Sequence, residues 1–159
     1  MEKSSQKPKI QETALSRLRT FAGLDGEDVR GLIRYSSSES FAASSQILTE
    51  GEEGHCMYVV LSGTVRVVAA GVELAVLDEG DFFGEVSLVD DGPRSADVVA
   101  VTDCHLLLVT RMTLAMLTAS HPQAAIHLLA AIGRSLVGKL REDNRRLAGL
   151  MLLGRQTPK

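Results

Sequence analysis

Residues 82–96 read FFGEVSLVDDGPRSA. Within this stretch lie a Gly-Glu pair, a short apolar run and a Pro-Arg-Ser-Ala step. One guanidinium can bond two oxygens of an anion in a fork, through charge-assisted hydrogen bonds worth roughly 1.5–3 kcal/mol each. Arg94 is the candidate, with Pro93 stiffening its approach and the Ser95 hydroxyl as a second donor. Small side chains at Ser95 and Ala96 let the backbone come close to the anion. Gly84 does the same on the other side, and Glu85, when ionised, accepts from a hydroxyl. Residues 84–89 are expected to form one helical turn with its N-terminus towards the anion. Phe82, Phe83, Val86 and Leu88 anchor that turn. Glu85 and Arg94 are also expected to brace one another. An isolated Arg and Glu would be read as an ordinary ion pair across a loop. FGE, the step from Glu85 to Arg94, and PRSA together argue instead for a ligand site.

Outward from this stretch, Gln46 to Thr110 carries a β pattern. Short segments rich in Val and Leu (QILTE, CMYVVLSG, TVRVVA, VELAVLD, DVVAV, HLLLVT) alternate with glycine-bearing turns. Gly63, between Ser62 and Thr64, marks a tight turn or bulge needing positive φ. On the N-terminal side, residues 11–22 place Ala14, Leu15, Leu18, Phe21 and Ala22 at helical spacing, and Gly23 stops that helix. A second helix is expected at about 26–35, with Asp25 as N-cap and Val29, Leu32 and Ile33 on its apolar face. The small residues from Ser36 to Ser45 break the helical pattern. Beyond Arg111 the period returns to helix, with a break at His121-Pro122. A last helix then runs from Gln123 to about Met151. It carries a stripe of Leu129, Leu136, Leu140, Leu147 and Leu150, interrupted by Gly133, Gly138 and Gly149. These glycines are candidates for close packing or a hinge.

The chain has 159 residues, enough for one domain with a real core and a long terminal helix. Aromatic residues are only 4% and Trp is absent, so the core must be aliphatic. The net charge of −3 supplies no basic field to draw the chain to nucleic acid. Cys56 and Cys104 lie within apolar runs, at no metal-ligand spacing, and read as buried reduced thiols. His55, His105, His121 and His127 are scattered, with no His-x-His pair. No metal is therefore expected, which sets aside a metal-dependent cupin enzyme of similar roll architecture. No nucleophile–base pair suggests catalysis. The N-terminus lacks a signal-peptide core and no stretch is long enough to span a bilayer, so the expected compartment is cytoplasmic.

The stretch 82–96 resembles the phosphate-binding cassette of the cyclic nucleotide-binding domain family, and EGEEGHCMYVVLSGTVRV (50–67) resembles that family's early strands. A cyclic nucleotide offers one phosphate charge and one free ribose hydroxyl, which match one guanidinium and one carboxylate. The resemblance covers roughly residues 12–150. It implies a mainly β fold with flanking helices: a double-stranded β-helix (jelly-roll-like) β roll, N-terminal helices and a long C-terminal lid helix. The organisation expected is a flexible N-terminus (1–11), a helical lead-in plus roll (12–110), hinge and lid helices of the same domain (111–153), and a tail (154–159). The resemblance implies that Gly84 and Glu85 contact the ribose and that Arg94, Ser95 and Ala96 hold the phosphate. Phe83, Val86 and Ser87 would line the pocket, and Val67 would form a wall near the base. Arg134, Ser135 and Lys139 are candidate lid contacts to the base, against the alternative of solvated side chains on an exposed helix face.

The function expected is that of a non-catalytic sensor of cyclic AMP, with cyclic GMP the less favoured ligand. It would signal by movement of the C-terminal helix to an unidentified protein partner. The alternative is a partner-binding or dimerisation module of the same fold that needs no nucleotide. The leucine stripe makes the last helix a candidate homodimer seam. After Leu153 only GRQTPK remains, so the output domain is expected to be absent, on another chain or outside this sequence. Direct DNA binding is not expected, since Glu142 and Asp143 interrupt the basic residues of the tail segment.

Overall fold

A computed structural model describes residue 10 and residues 12–156. Of the expected flexible N-terminus (1–11) all but residue 10, and residues 157–159 of the expected tail, fall outside the described residues. The chain opens with helices α1 (Glu12–Arg17) and α2 (Gly26–Tyr35), joined through a short 3-10 turn at Arg19–Phe21. Eight strands follow: β1 (Ser37–Phe41), β2 (Gln46–Leu48), β3 (Cys56–Ser62), β4 (Val65–Ala69), β5 (Val72–Leu77), β6 (Phe82–Phe83), β7 (Asp97–Ala100) and β8 (Cys104–Thr110). Helix α3 (Val86–Val89) lies between β6 and β7, and α4 (Arg111–Ser120) and α5 (Pro122–Gly154) end the chain.

The strands form two four-stranded sheets, ordered β1-β8-β3-β6 and β2-β7-β4-β5. Every strand pairing is antiparallel. The fold is thus mainly β, with flanking helices and a long C-terminal helix. The first sheet is covered on both faces, which explains the near-continuous apolar runs of its central strands. On β3, Met57 and Val59 face the helices while Tyr58 and Val60 face the interior of the roll. On β8, Leu107 and Val109 face the helices, and Cys104 and Leu106 face inward. Period-two alternation therefore feeds two cores. One is shared with Leu15, Leu32, Leu117 and Leu128 of the helices. The other is closed by Val65, Phe83, Val98 and Ala100 within the roll.

Four local expectations change. Cys56, unlike Cys104, is only partly buried. The first helix ends at Arg17, and the 3-10 turn carries Phe21 into the core, so Ala14 and Ala22 remain exposed. Asp25 does cap α2, accepting from the Asp28 amide at 2.8 Å. The β region begins at Ser37 rather than Gln46, because β1 pairs along β8 from Ser37↔Leu108 to Phe41↔Cys104. Its sequence, SSESF, has too little apolar character to be read as a strand without its partner. Finally, Gly133, Gly138 and Gly149 have open space around them, so close packing does not explain them.

The β3–β4 turn depends on Gly63, whose φ is +95° and whose added Cβ would collide with the Asp103 carbonyl oxygen. Gly63→Ala is expected to cost about 1–3 kcal/mol. Urea denaturation reads this directly, and an unchanged midpoint would contradict it.

Candidate functional site

The site is assembled by two tight loops that meet in front of the second sheet. After β6 the chain turns at Gly84, with φ at +76°, and enters α3. The turn closes through the Ser87 and Leu88 amides, which donate to the Gly84 and Glu85 carbonyls at 3.3 and 3.0 Å. The chain then returns through Pro93, which forms an isolated bridge with Glu53. The Arg94 amide donates to Glu52 O at 2.7 Å, and the Gly51 amide donates to Arg94 O at 2.9 Å. The glycine-rich segment 50–54 thus clamps the cassette by its backbone.

Within that clamp the Arg94 side chain is turned inward, and the residue is 7% exposed. Its Nη1 donates to Cys56 O at 2.8 Å, Ser87 Oγ at 3.0 Å and Gly84 O at 3.1 Å. Its Nη2 lies 3.3 Å from Cys56 Sγ. Every one of these acceptors is neutral, and among the described residues no carboxylate pairs with it. Burying a cation costs several kcal/mol unless a counter-charge is supplied.

Glu85 sits apart from Arg94, so the expected brace between them is not formed. The carboxylate is 1% exposed and is reached from α5 instead. Lys139 Nζ donates to Glu85 Oε1 in a short ion pair, and Ser135 Oγ donates to the same oxygen at 3.4 Å. Ser135 and Lys139, expected near a base, thus converge on the carboxylate. Their spacing of four residues puts both on one face of α5. Spatial proximity between Glu85 and α5 leaves no trace in local sequence, which is why this partner was missed.

A cavity of about 880 Å³ opens in front of these groups. It is lined by Phe83, Gly84, Glu85, Val86, Ser87, Arg94, Ser95 and Ala96 from the cassette, and by Val67 from β4. Arg134, Ser135 and Lys139 line its α5 side. The candidate residues of both groups therefore share one cavity. Phe83, one of its lining residues, stacks on Tyr58 with ring centroids 5.4 Å apart, and Tyr58 in turn meets the edge of Phe41. Burial, reinforced by Cys56 and Glu39, pushes the Tyr58 phenol well above its ordinary value, so it stays neutral behind the cassette. Among the described residues no cluster of three or more His, Cys, Asp or Glu is placed to hold a metal.

Residues 38–121, more than half of the chain, match the cyclic nucleotide-binding domain family. The chain belongs to that family. It is 37% identical to the cyclic AMP receptor protein of Thermus thermophilus over 121 residues, 73% of this chain and 56% of that protein. It is 34% identical to a cAMP-dependent protein kinase regulatory subunit of Yarrowia lipolytica, over 58% of this chain and 25% of that one. The crystal structure of the Thermus thermophilus catabolite activator protein superposes with a TM-score of 0.71 at 35% identity, covering 83% of this chain and 62% of that one. A cyclic nucleotide-binding domain from Methylobacillus flagellatus gives 0.72 at 26% identity, over 92% and 83% of the two chains. The chain spans a little over half the length of the Thermus receptor. Among the described residues, no helix is long and apolar enough to cross a membrane.

Gly54, which sequence reasoning passed over as a turn glycine, packs against the Arg94 side chain. A Cβ there would overlap Arg94 Nε and stand 2.6 Å from Ser87 Oγ. Gly54→Ala is expected to displace the guanidinium and weaken cyclic nucleotide binding about tenfold or more, the equivalent of one charge-assisted hydrogen bond. Calorimetry on a variant with an unaltered circular dichroism spectrum tests this, and wild-type affinity would refute it.

Proposed function

We propose that this chain is a non-catalytic sensor of cyclic AMP. The observation that carries this reading is the buried Arg94 guanidinium, bonded only to neutral acceptors. A cyclic phosphate supplies the missing charge, with the Ser95 hydroxyl and the backbone at Ala96 completing its contacts. Glu85 takes the ribose 2′-hydroxyl, with Gly84 allowing close approach. Phe83, Val86 and Ser87 form the pocket wall and Val67 borders the base. The relatives' names, a cyclic AMP receptor and cAMP-dependent kinase regulatory subunits, favour cyclic AMP over cyclic GMP. No metal takes part, because one guanidinium and the adjacent donors suffice for a singly charged phosphate.

In this reading α5 is the lid. Lys139 and Ser135 already tie it to the carboxylate that the ribose must reach, so nucleotide and lid meet at Glu85. A change in that contact alters the preferred position of α5, and an unidentified partner reads the change. Arg134, which lines the same cavity, is a cation available to the base, whereas Arg19 and Arg146 of that lining are held in ion pairs with Asp81 and Glu142.

Titration with cyclic AMP and cyclic GMP is the direct test. One site per chain is expected, tighter for cyclic AMP. Arg94→Ala should weaken binding at least about a hundredfold, as two charge-assisted hydrogen bonds are lost. Glu85→Ala should weaken cyclic AMP about tenfold and 2′-deoxy cyclic AMP much less. Absence of heat and of thermal shift with both nucleotides would instead support the nucleotide-independent module.

The second half of α5 favours a homodimer. Leu140, Leu147 and Leu150 are 61%, 52% and 67% exposed, and with Leu129 and Leu136 they follow a heptad-like row. Analytical ultracentrifugation should give twice the chain mass, reverting to one chain in Leu140→Glu/Leu147→Glu. A monomeric wild-type chain would exclude this seam.

A further inference from the structure

Arg111, the first residue of α4, lies outside the cavity, yet its side chain reaches the cassette. Its Nε and Nη2 donate to Ser87 O at 3.0 and 2.9 Å, and Nη2 also donates to Asp90 O at 3.1 Å. These carbonyls belong to the end of α3, a four-residue helix too short to satisfy its own last acceptors. The same Ser87 presents its Oγ to Arg94 Nη1 at 3.0 Å on the cavity side. One residue is therefore gripped from both sides, by the anion-binding guanidinium through its hydroxyl and by Arg111 through its carbonyl.

The base of Arg111 is itself held firmly. Thr110 and Thr113 form a reciprocal capping box at the start of α4, with both bonds at 3.1 Å, and Thr113 Oγ1 donates to Tyr35 O at 2.7 Å. An ion pair with Asp91 is present as well, but Asp91 is 88% exposed, and such pairs contribute little. The carbonyl contacts are the ones that tie α3 to the start of α4.

We propose that Arg111 is a positioning residue for the anion site: it fixes Ser87, and through Ser87 the setting of Arg94, from the helical side of the domain. This rests on the cyclic nucleotide reading above. A buried guanidinium held by neutral acceptors has no counter-ion to orient it, so its direction depends on where those acceptors stand. Without Arg111, α3 loses three hydrogen bonds at its C-terminal end, and the Ser87 hydroxyl is free to shift.

The test is a double-mutant cycle read by calorimetric titration with cyclic AMP, using R111A, S87A and the S87A/R111A pair. R111A is expected to weaken binding on the order of tenfold, and to cost less than about threefold once Ser87 Oγ is already gone. R111K, which keeps a cation but not the fork, should fall between R111A and wild type. D91N removes the surface ion pair and should leave affinity within about twofold of wild type. Equal losses from R111A in both backgrounds would mean a purely structural role and overturn the proposal, as would a D91N loss matching R111A. If R111A does not fold, R111K carries the test, and wild-type affinity in R111K would overturn it. An unsubstituted chain that binds no cyclic nucleotide refutes the sensor reading itself. Normal wild-type binding with unaffected R111A refutes only the role of Arg111.

Discussion

A guanidinium held inside the protein by carbonyls, a hydroxyl and a thiol is an expensive arrangement. The desolvation penalty for such an ion is several kcal/mol, and neutral dipoles recover only part of it. Much of the local chain is organised around this cost. Gly84 must take positive φ so that its carbonyl can face Arg94 Nη1, and an added Cβ there would stand 2.8 Å from that nitrogen. Gly54 must have no side chain at all, because the guanidinium occupies that space. The clamp of Gly51 and Glu52 fixes the Arg94 backbone, and the contacts to Cys56, Gly84 and Ser87 hold its side chain inward. A glycine-punctuated early strand region and a Gly-Glu…Arg cassette are two halves of one solution to burying a cation without neutralising it.

Keeping Glu85 away from Arg94 is the second half of the same design. If the two paired, the buried guanidinium would be neutralised by the protein and not by a ligand. Instead the carboxylate is satisfied from another element, by Lys139 of α5. The cavity therefore retains a positive end at Arg94 and a carboxylate end at Glu85, spaced along one wall. Since Lys139 remains 57% exposed, its hold on Glu85 exchanges with water more readily than a fully buried pair would. In the proposed sensor the α5 contact is therefore the adjustable one and the Arg94 cradle the fixed one.

The cassette was readable because its chemistry is local: Gly84, Glu85, Arg94 and Ala96 fall within thirteen residues and converge through one short turn. The strands were readable where burial on one or both faces imposes Val and Leu, as along β3 and β8. β1 was not, because SSESF is only half-buried for most of its length and owes its strand geometry to pairing with β8. The supposed brace between Glu85 and Arg94 failed for a related reason. Sequence closeness suggested contact, but the left-handed turn at Gly84 sends the two side chains to different neighbours. Lys139 and Arg111, more than fifty residues and seventeen residues from Glu85 and Arg94 respectively, act through contacts that only the folded chain creates.

Helix α5 joins these observations. At about 50 Å, from 1.5 Å per residue over 33 residues, it is longer than the roll needs. Its first turns are buried through Ala124, Leu128 and Ile132, its middle presents Ser135 and Lys139 to the cavity, and its last turns are exposed throughout. A helix so exposed gains little from the roll beyond Leu136, and helical propensity alone is marginal against three interior glycines. The Lys139 contact lies just where packing against the roll gives out. Among the described residues, Ser135 and Lys139 at Glu85 are the polar ties of this part of α5 to the cassette, and the leucine row beyond them is exposed. In the proposed sensor a partner on the leucines and a nucleotide at Glu85 both act on the same helix, so the two would be thermodynamically linked. Each changes the affinity for the other by the same factor, provided each distinguishes between the positions of α5.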